Sequence, residues 1–191
     1  ANVQQYESNG NACQHWILEE TAAAGVKLDT SQVYQFQNAN SALYLEVKDA
    51  SAEAGANVQQ WGANGNDCQN WTLKEFGDGY YYILSRLGDG KTYYLDVAEG
   101  KGDDGTNIQI FTNTKTSAQL FKFIPNPDGT YYIVTRASKD KGALGVAAAS
   151  KEQGANVLQW TKNGSMDQMW NITAIGAIPT PVTTTEPPVV T

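Results

Sequence analysis

Charge is scarce in this chain of 191 residues: Asp, Glu, Lys and Arg make up 17% of it, and 20 acidic against 13 basic residues leave a formal net charge of −7. With no cluster of Lys and Arg to offset that balance, nucleic acid and anionic lipid are poor partners. The chain has one histidine, His15, and two cysteines, Cys13 and Cys68. That set cannot close a Cys/His zinc site, and a Ser-His-Asp arrangement could draw only on His15. No apolar run approaches the roughly 18 residues needed to span a bilayer, and no leader precedes the first repeat, so the chain reads as a soluble, mature fragment. A sustained 3.6-residue apolar period is lacking too, which excludes a helical body.

What is plentiful is glycine (18), tyrosine (10) and tryptophan (5). Glycine supplies the positive φ of tight turns and aromatic rings suit a pleated surface, so the composition points to a turn-dense all-β fold. At this length a core can form unaided, and neither a cofactor nor a metal is needed to explain folding.

The chain repeats itself. Residues 56–71 read ANVQQWGANGNDCQNW, 155–170 read ANVLQWTKNGSMDQMW, 106–121 read TNIQIFTNTKTSAQLF, and 1–16 read ANVQQYESNGNACQHW. Trp61, Phe111 and Trp160 follow one another at intervals of 50 and 49 residues, and each copy closes on Gln-x-Trp or Gln-x-Phe. The preceding halves repeat as well, with YYYILSRLGDGKTYYLDV at 80–97 matching TYYIVTRASKDKGALGVA at 130–147 and, more loosely, VYQFQNANSALYLEV at 33–47. Three units follow, at 34–76, 80–124 and 130–175, each built of short alternating runs between Gly, Asp and Asn clusters that predict strands and turns.

The ends differ from this body. Residues 176–191 hold four of the six prolines together with a run of threonines, which predicts a stiff, extended linker to a further module. Residues 1–33 comprise half a unit and a connector. Half a unit cannot bury its own apolar face, so three readings stand: a remnant of a preceding array, a strand pair docked on the body, or a segment exchanged with a second copy of the chain.

The Gln-x-Trp close, the Leu-Asp-Val strand and the Gly-x-Asn-Val-Gln-x-Trp segment resemble the ricin B-chain-like lectins, also known as carbohydrate-binding module family 13. The resemblance covers 34–175. It implies a β-trefoil of three four-stranded units and a non-catalytic, sugar-binding role. In such a unit an Asp of the Leu-Asp-Val strand accepts hydrogen bonds from sugar hydroxyls, an aromatic about 15 residues later is a stacking platform, and an Asn/Gln pair completes the polar set. That division of labour suits a pyranose, whose C–H face stacks on a ring and whose hydroxyl edge is read by a carboxylate.

Carried over by position, the second unit offers Asp96, Phe111, Gln109 and Gln119, with Ala118 in place of the usual Asn. The first offers Glu46, Trp61, Gln59 and Gln69, with Cys68 in place of Asn. The third keeps Trp160 and Gln168 but has Gly145 at the acid position and Leu158 for Gln, so it is expected to be weak or vestigial, unless Asp167 substitutes from the other side. Trp71, Phe121 and Trp170 are expected in the core. If Trp71 fills it, Trp61 ten residues earlier has less reason to be buried. The three Gln-x-aromatic glutamines are better suited to satisfying buried backbone groups than to touching sugar; for Asp96 the competing role is a turn cap, and for Glu46 a solvated surface acid.

Other acids carry less. Asp103-Asp104 lacks the alternating spacing of a calcium loop, and adjacent exposed pairs such as Glu19-Glu20 lack an environment that would split their pKa values for hydrolysis. Cys13 and Cys68 share a repeat position; threefold-related sites usually lie too far apart to bridge, so free thiols are expected. The resemblance and the Pro/Thr tail together imply a secreted, extracellular protein whose sugar module carries a glycoside hydrolase to plant polysaccharide containing galactose, arabinose or xylose. The competing expectation is an assembly trefoil with vestigial sites, self-associating through residues 1–32.

Overall fold

Residues 25–179 are described by the computed structural model, and they form an all-β structure. Its strands are β1 (Gln32–Asn38), β2 (Tyr44–Val47), β3 (Val58–Trp61), β4 (Trp71–Gly77), β5 (Tyr80–Ser85) and β6 (Tyr93–Val97). They continue as β7 (Thr106–Thr112), β8 (Phe121–Pro125), β9 (Tyr131–Thr135), β10 (Gly142–Val146), β11 (Val157–Thr161) and β12 (Met169–Ala177). Among the described residues no helix is long and apolar enough to cross a membrane.

Six strands close on themselves: β1 pairs with β4, β4 with β5, β5 with β8, β8 with β9, β9 with β12, and β12 with β1. Closure removes the unpaired edges that an open sheet would present. The remaining strands form the hairpins β2–β3, β6–β7 and β10–β11, one from each unit. This is a β-trefoil, as the family resemblance implies.

Period-2 alternation sends Tyr34, Phe36, Tyr81, Ile83, Phe121 and Phe123 inward, and the ring of Phe123 lies 5.9 Å from Phe36 and 5.8 Å from Tyr81. Trp71, Phe121 and Trp170 are fully buried. Burying indole requires a partner for its N–H. Trp71 Nε1 donates to the carbonyl of Leu45 at 3.2 Å and Trp170 Nε1 to that of Leu144 at 3.0 Å, so each ring is pinned beneath its own hairpin.

The repeated Gly-x-Asn step explains how three hairpins meet. Gly55, Gly105 and Gly154 adopt φ of 88°, 81° and 82°, and their N–H groups donate across units to the carbonyls of Ile110, Gln159 and Gln60 at 2.8–2.9 Å. Two residues on, three asparagine amides close a ring: Asn57 donates to Asn156, Asn156 to Asn107, and Asn107 to Asn57, at 2.8, 2.8 and 2.9 Å. Every amide in the ring both donates and accepts, so polar groups close the pseudo-threefold junction without an unsatisfied atom.

The chain entering β1 is fastened to the barrel. Val26 and Leu28 pack on the core, Val26 N–H donates to Phe123 O at 3.0 Å, and Leu28 N–H to the Tyr81 hydroxyl at 3.1 Å. At the other end β12 takes in the first two residues of the Pro/Thr-rich segment, since Ala177 and Gly176 pair with Gln32 and Val33. The half-unit at 1–20, with Cys13, and most of the 176–191 segment lie outside the described residues.

Candidate functional site

Strand register builds the same floor three times. In β2–β3 Glu46 faces Gln59, in β6–β7 Asp96 faces Gln109, and in β10–β11 Gly145 faces Leu158. Beyond each floor residue the chain turns sharply, with Asp49, Glu99 and Ala148 at φ of 55°, 58° and 54°. Left-handed backbone is costly for residues other than glycine, and its recurrence in all three units fits a turn that must bend away to open the surface. A recess lies above each floor.

The second recess is the largest, about 550 Å³, bounded by Asp96, Gln109, Phe111, Thr114, Ala118 and Glu99. Asp96 is only 3% exposed. Burial pushes its carboxyl above the ordinary aspartate range, opposed chiefly by the hydrogen bond from the Gln109 amide. Gln109 Nε2 donates to Asp96 Oδ1 at 3.0 Å. Asp96 therefore caps no turn; it is held on the floor by the residue across the hairpin, with Phe111 half-exposed beside it. Glu99 at the rim is paired with Lys101 at 2.7 Å.

The first recess is smaller, about 220 Å³. Trp61 stands at its edge, 39% exposed, while Glu46 is 5% exposed and so is no solvated surface acid. Gln59 Nε2 donates to Glu46 Oε1 at 3.1 Å, and Oε2 accepts from Asn64 Nδ2 at 2.7 Å and Gln69 Nε2 at 2.8 Å. Asn64 is the functional residue that sequence reasoning missed. Its signal lay in the repeat: Asn64 and Asn163 follow the exposed tryptophan by three residues, where the second unit has Thr114.

The third recess, about 350 Å³, lacks an acid on its hairpin, yet Trp160 is 45% exposed at its rim and Asp167 lies in its wall. The glutamines of the Gln-x-aromatic step act alike in all three units. Gln69, Gln119 and Gln168 accept from the backbone N–H of Asn64, Thr114 and Asn163 and donate to the carbonyls of Gly62, Thr112 and Thr161. They staple the loop that walls each recess; Gln69 alone also donates to the floor acid at hydrogen-bond distance.

Other singled-out groups have structural roles. Asp104 Oδ1 accepts from the N–H and hydroxyl of Thr161 at 2.6 and 2.9 Å. Among the described residues no group of three or more His, Cys, Asp or Glu could hold a metal ion. Cys68 is buried with a free thiol, whose pKa burial raises.

A family model described as ricin-type beta-trefoil lectin domain-like matches residues 26–111, 90–160 and 117–180. The clotting factor G alpha subunit of Tachypleus tridentatus is 36% identical over 69 residues, which are 35% of this chain and 10% of that protein. Among solved structures, the designed threefold-symmetric protein ThreeFoil superimposes with a TM-score of 0.70 at 34% identity, over 75% of this chain and 99% of its own. An exo-beta-1,3-galactanase from Clostridium thermocellum gives a TM-score of 0.71 at 30% identity, over 76% of this chain and 30% of the enzyme.

Proposed function

This chain belongs to the ricin-type β-trefoil lectin family, and from that premise we propose that it is a non-catalytic carbohydrate-binding module whose first and second recesses each hold a sugar ring. The observation that carries this reading is a buried carboxylate on the floor of a recess beside a ring open to solvent at least in part, present as Asp96 with the half-buried Phe111 and as Glu46 with the exposed Trp61. A carboxylate orients hydroxyl donors through charge-assisted bonds, and the ring takes the C–H face, which together fix a neutral saccharide without a cofactor.

The ligand is a polysaccharide containing galactose, arabinose or xylose, and the similarity to part of a galactanase favours galactose. A shallow recess binds one sugar modestly; two on one rigid body gain by effective concentration along a polymer. In a secreted parent chain such a module keeps an appended glycoside hydrolase at its substrate. Gel electrophoresis with arabinogalactan or arabinoxylan in the matrix tests this: retardation that free galactose relieves, with no release of reducing ends, is expected. Unretarded migration in both matrices contradicts it.

One observation favours a second reading. Three amides already occupy Glu46, as in a site turned to structural use, and an assembly trefoil would then associate through residues 1–32. Light scattering separates the two, since assembly requires oligomers that disappear when those residues are removed.

A further inference from the structure

Each hairpin of the trefoil is gripped by a loop of another unit, and the three grips are unequal. Gln60, beside Trp61 in β3, is fully buried, and its Nε2 donates to the carbonyls of Ser150 and Glu152 in the third unit at 3.0 and 2.9 Å. The next residues of that loop reach the platform itself. Gln153 Oε1 accepts from the N–H of Gly62, the residue after Trp61, at 3.1 Å, and a Cβ on Gly154 would lie 3.4 Å from Trp61 Cζ3. The lack of a side chain at Gly62 admits this contact, since a Cβ there would stand 2.9 Å from Gln153 Oε1.

The same contacts recur where the second unit meets the third. Gln159 Nε2 donates to the carbonyls of Lys101 and Asp103, Asp104 Oδ1 accepts from the N–H of Thr161, and a Cβ on Gly105 would lie 3.6 Å from Trp160 Cζ3. Where the first unit meets the second, the side chains for them are missing among the described residues. Ile110 replaces the glutamine, Ala54 stands where Gln153 and Asp104 supply an acceptor, and a Cβ on Gly55 would meet nothing within 4 Å. The backbone bond common to the three junctions persists there, from Gly55 N–H to Ile110 O at 2.8 Å, so the loop is in place and only the side-chain brace is lost. The brace thus goes with a tryptophan platform and is lacking beside a phenylalanine.

We infer that Gln153 and Gly154 are positioning residues of the first recess: they hold the Trp61 ring in the orientation on which a sugar stacks, without touching the sugar. This rests on the carbohydrate reading of that recess. An indole that is 39% exposed has rotamer freedom to lose when a ligand arrives. Packing one edge of the ring on a bare glycine, and fixing the N–H that follows it, removes that freedom beforehand, so the ordering no longer counts against binding. The first recess is therefore a composite of two units. The third unit, with no acid on its own hairpin, takes part in recognition by completing the platform of the first. Phe111, with no brace, is ordered only by its own strand and the ligand.

The test is NMR on the full chain, following the Trp61 indole N–H in the free protein and during titration with methyl β-galactoside and methyl β-xyloside, while the amide of Ala118 reports the second recess. Dispersed signals from Trp71 and Trp170 report an intact fold. Gln153→Leu removes the acceptor at similar size; it should lower the order parameter of the Trp61 indole and weaken the first recess about threefold, leaving the Ala118 titration unchanged. Gln153→Glu keeps an acceptor, as Asp104 does at the next junction, and should restore both. Two threefold-related variants separate ring from backbone. Gly154→Asn and Gly55→Asn each put a side chain on left-handed backbone and should lower thermal stability alike, but only Gly154→Asn should shift the free Trp61 indole and weaken the first recess, at least about fivefold. An unchanged Trp61 in Gln153→Leu, no recovery in Gln153→Glu, or equal effects of the two Asn variants on Trp61 overturns the inference. If the parent chain responds at both recesses and these variants leave first-recess affinity intact, the inference fails while the function stands. If the parent chain responds to neither sugar, the carbohydrate reading fails and the inference falls with it.

Discussion

Glu46 and Asp96 occupy the same register position in successive units, but their surroundings differ. Glu46 reaches one methylene further and is met by three amides, from Gln59, Gln69 and Asn64. Asp96 is shorter, accepts Gln109 Nε2 at 3.0 Å, and has Thr114 where Asn64 would stand. The first recess thus has the larger platform over a carboxylate already in use, and the second a smaller platform over a carboxylate with spare acceptor capacity. In the proposed sites ring and acid contribute separately, and the better of each falls in a different unit.

The strongest way to break this comparison is to remove the acid where it is least committed. Asp96→Ala should lower affinity at the second recess about 30-fold, in line with the 1.5–3 kcal/mol of a charge-assisted hydrogen bond, while Trp61 continues to respond; calorimetry with residue-resolved NMR measures both. Acidification is a milder version of the same change. Burial raises the Asp96 pKa, so protonation of the folded state sets in at higher pH than for an ordinary aspartate, and sugar binding there should fall about tenfold across that titration. A pH series on Asp96→Asn should be flat. The linked effect on folding has the opposite sign: a raised folded-state pKa favours the protonated form, so this group's contribution to stability is present at low pH and lost as pH rises through that pKa. Asp96→Asn should therefore be no less stable than the parent chain at neutral pH.

Asn64→Thr sharpens the comparison from the other side. It gives the first unit the residue of the second and releases one bond to Glu46, so first-recess affinity should rise about threefold, which is under 1 kcal/mol. Unchanged or weaker binding would mean that Asn64 itself donates to the ligand. The smallest effect on sugar binding concerns the turn above the floor. Ala50 adopts φ of 49° where the second unit has Gly100 at 65°, and Ala50→Gly should raise stability by about 1 kcal/mol in thermal unfolding without altering sugar binding.

The repeat made much of this readable in the sequence. Spacing of 50 and 49 residues located the strands, and the Gln-x-aromatic step marked Trp71, Phe121 and Trp170 as core, because a ring required at the same place in each unit satisfies a constraint of the fold. The sequence leaves Trp160 undecided between core and surface, whereas the exposed position of Trp61 followed from that assignment. Asn64 did not, since its bond to Glu46 depends on the conformation of a loop 18 residues away in sequence. Nor did the asparagine ring: Asn57, Asn107 and Asn156 are visible as a repeated residue, but only the threefold assembly brings their amides together. The fastening of Val26 and Leu28 to the barrel was equally hidden, lying in a connector with no repeat to align.

The most direct test of the central claim is to map where a galactose-containing oligosaccharide lands on the isotopically labelled chain. The account predicts saturable shifts of the Trp61 indole and of the amides from Thr112 to Ala118, with the buried indoles of Trp71 and Trp170 and the barrel strands β5 and β8 unmoved. Shifts confined to the barrel, or none at any accessible concentration of galacto-, arabino- or xylo-oligosaccharide, would contradict it.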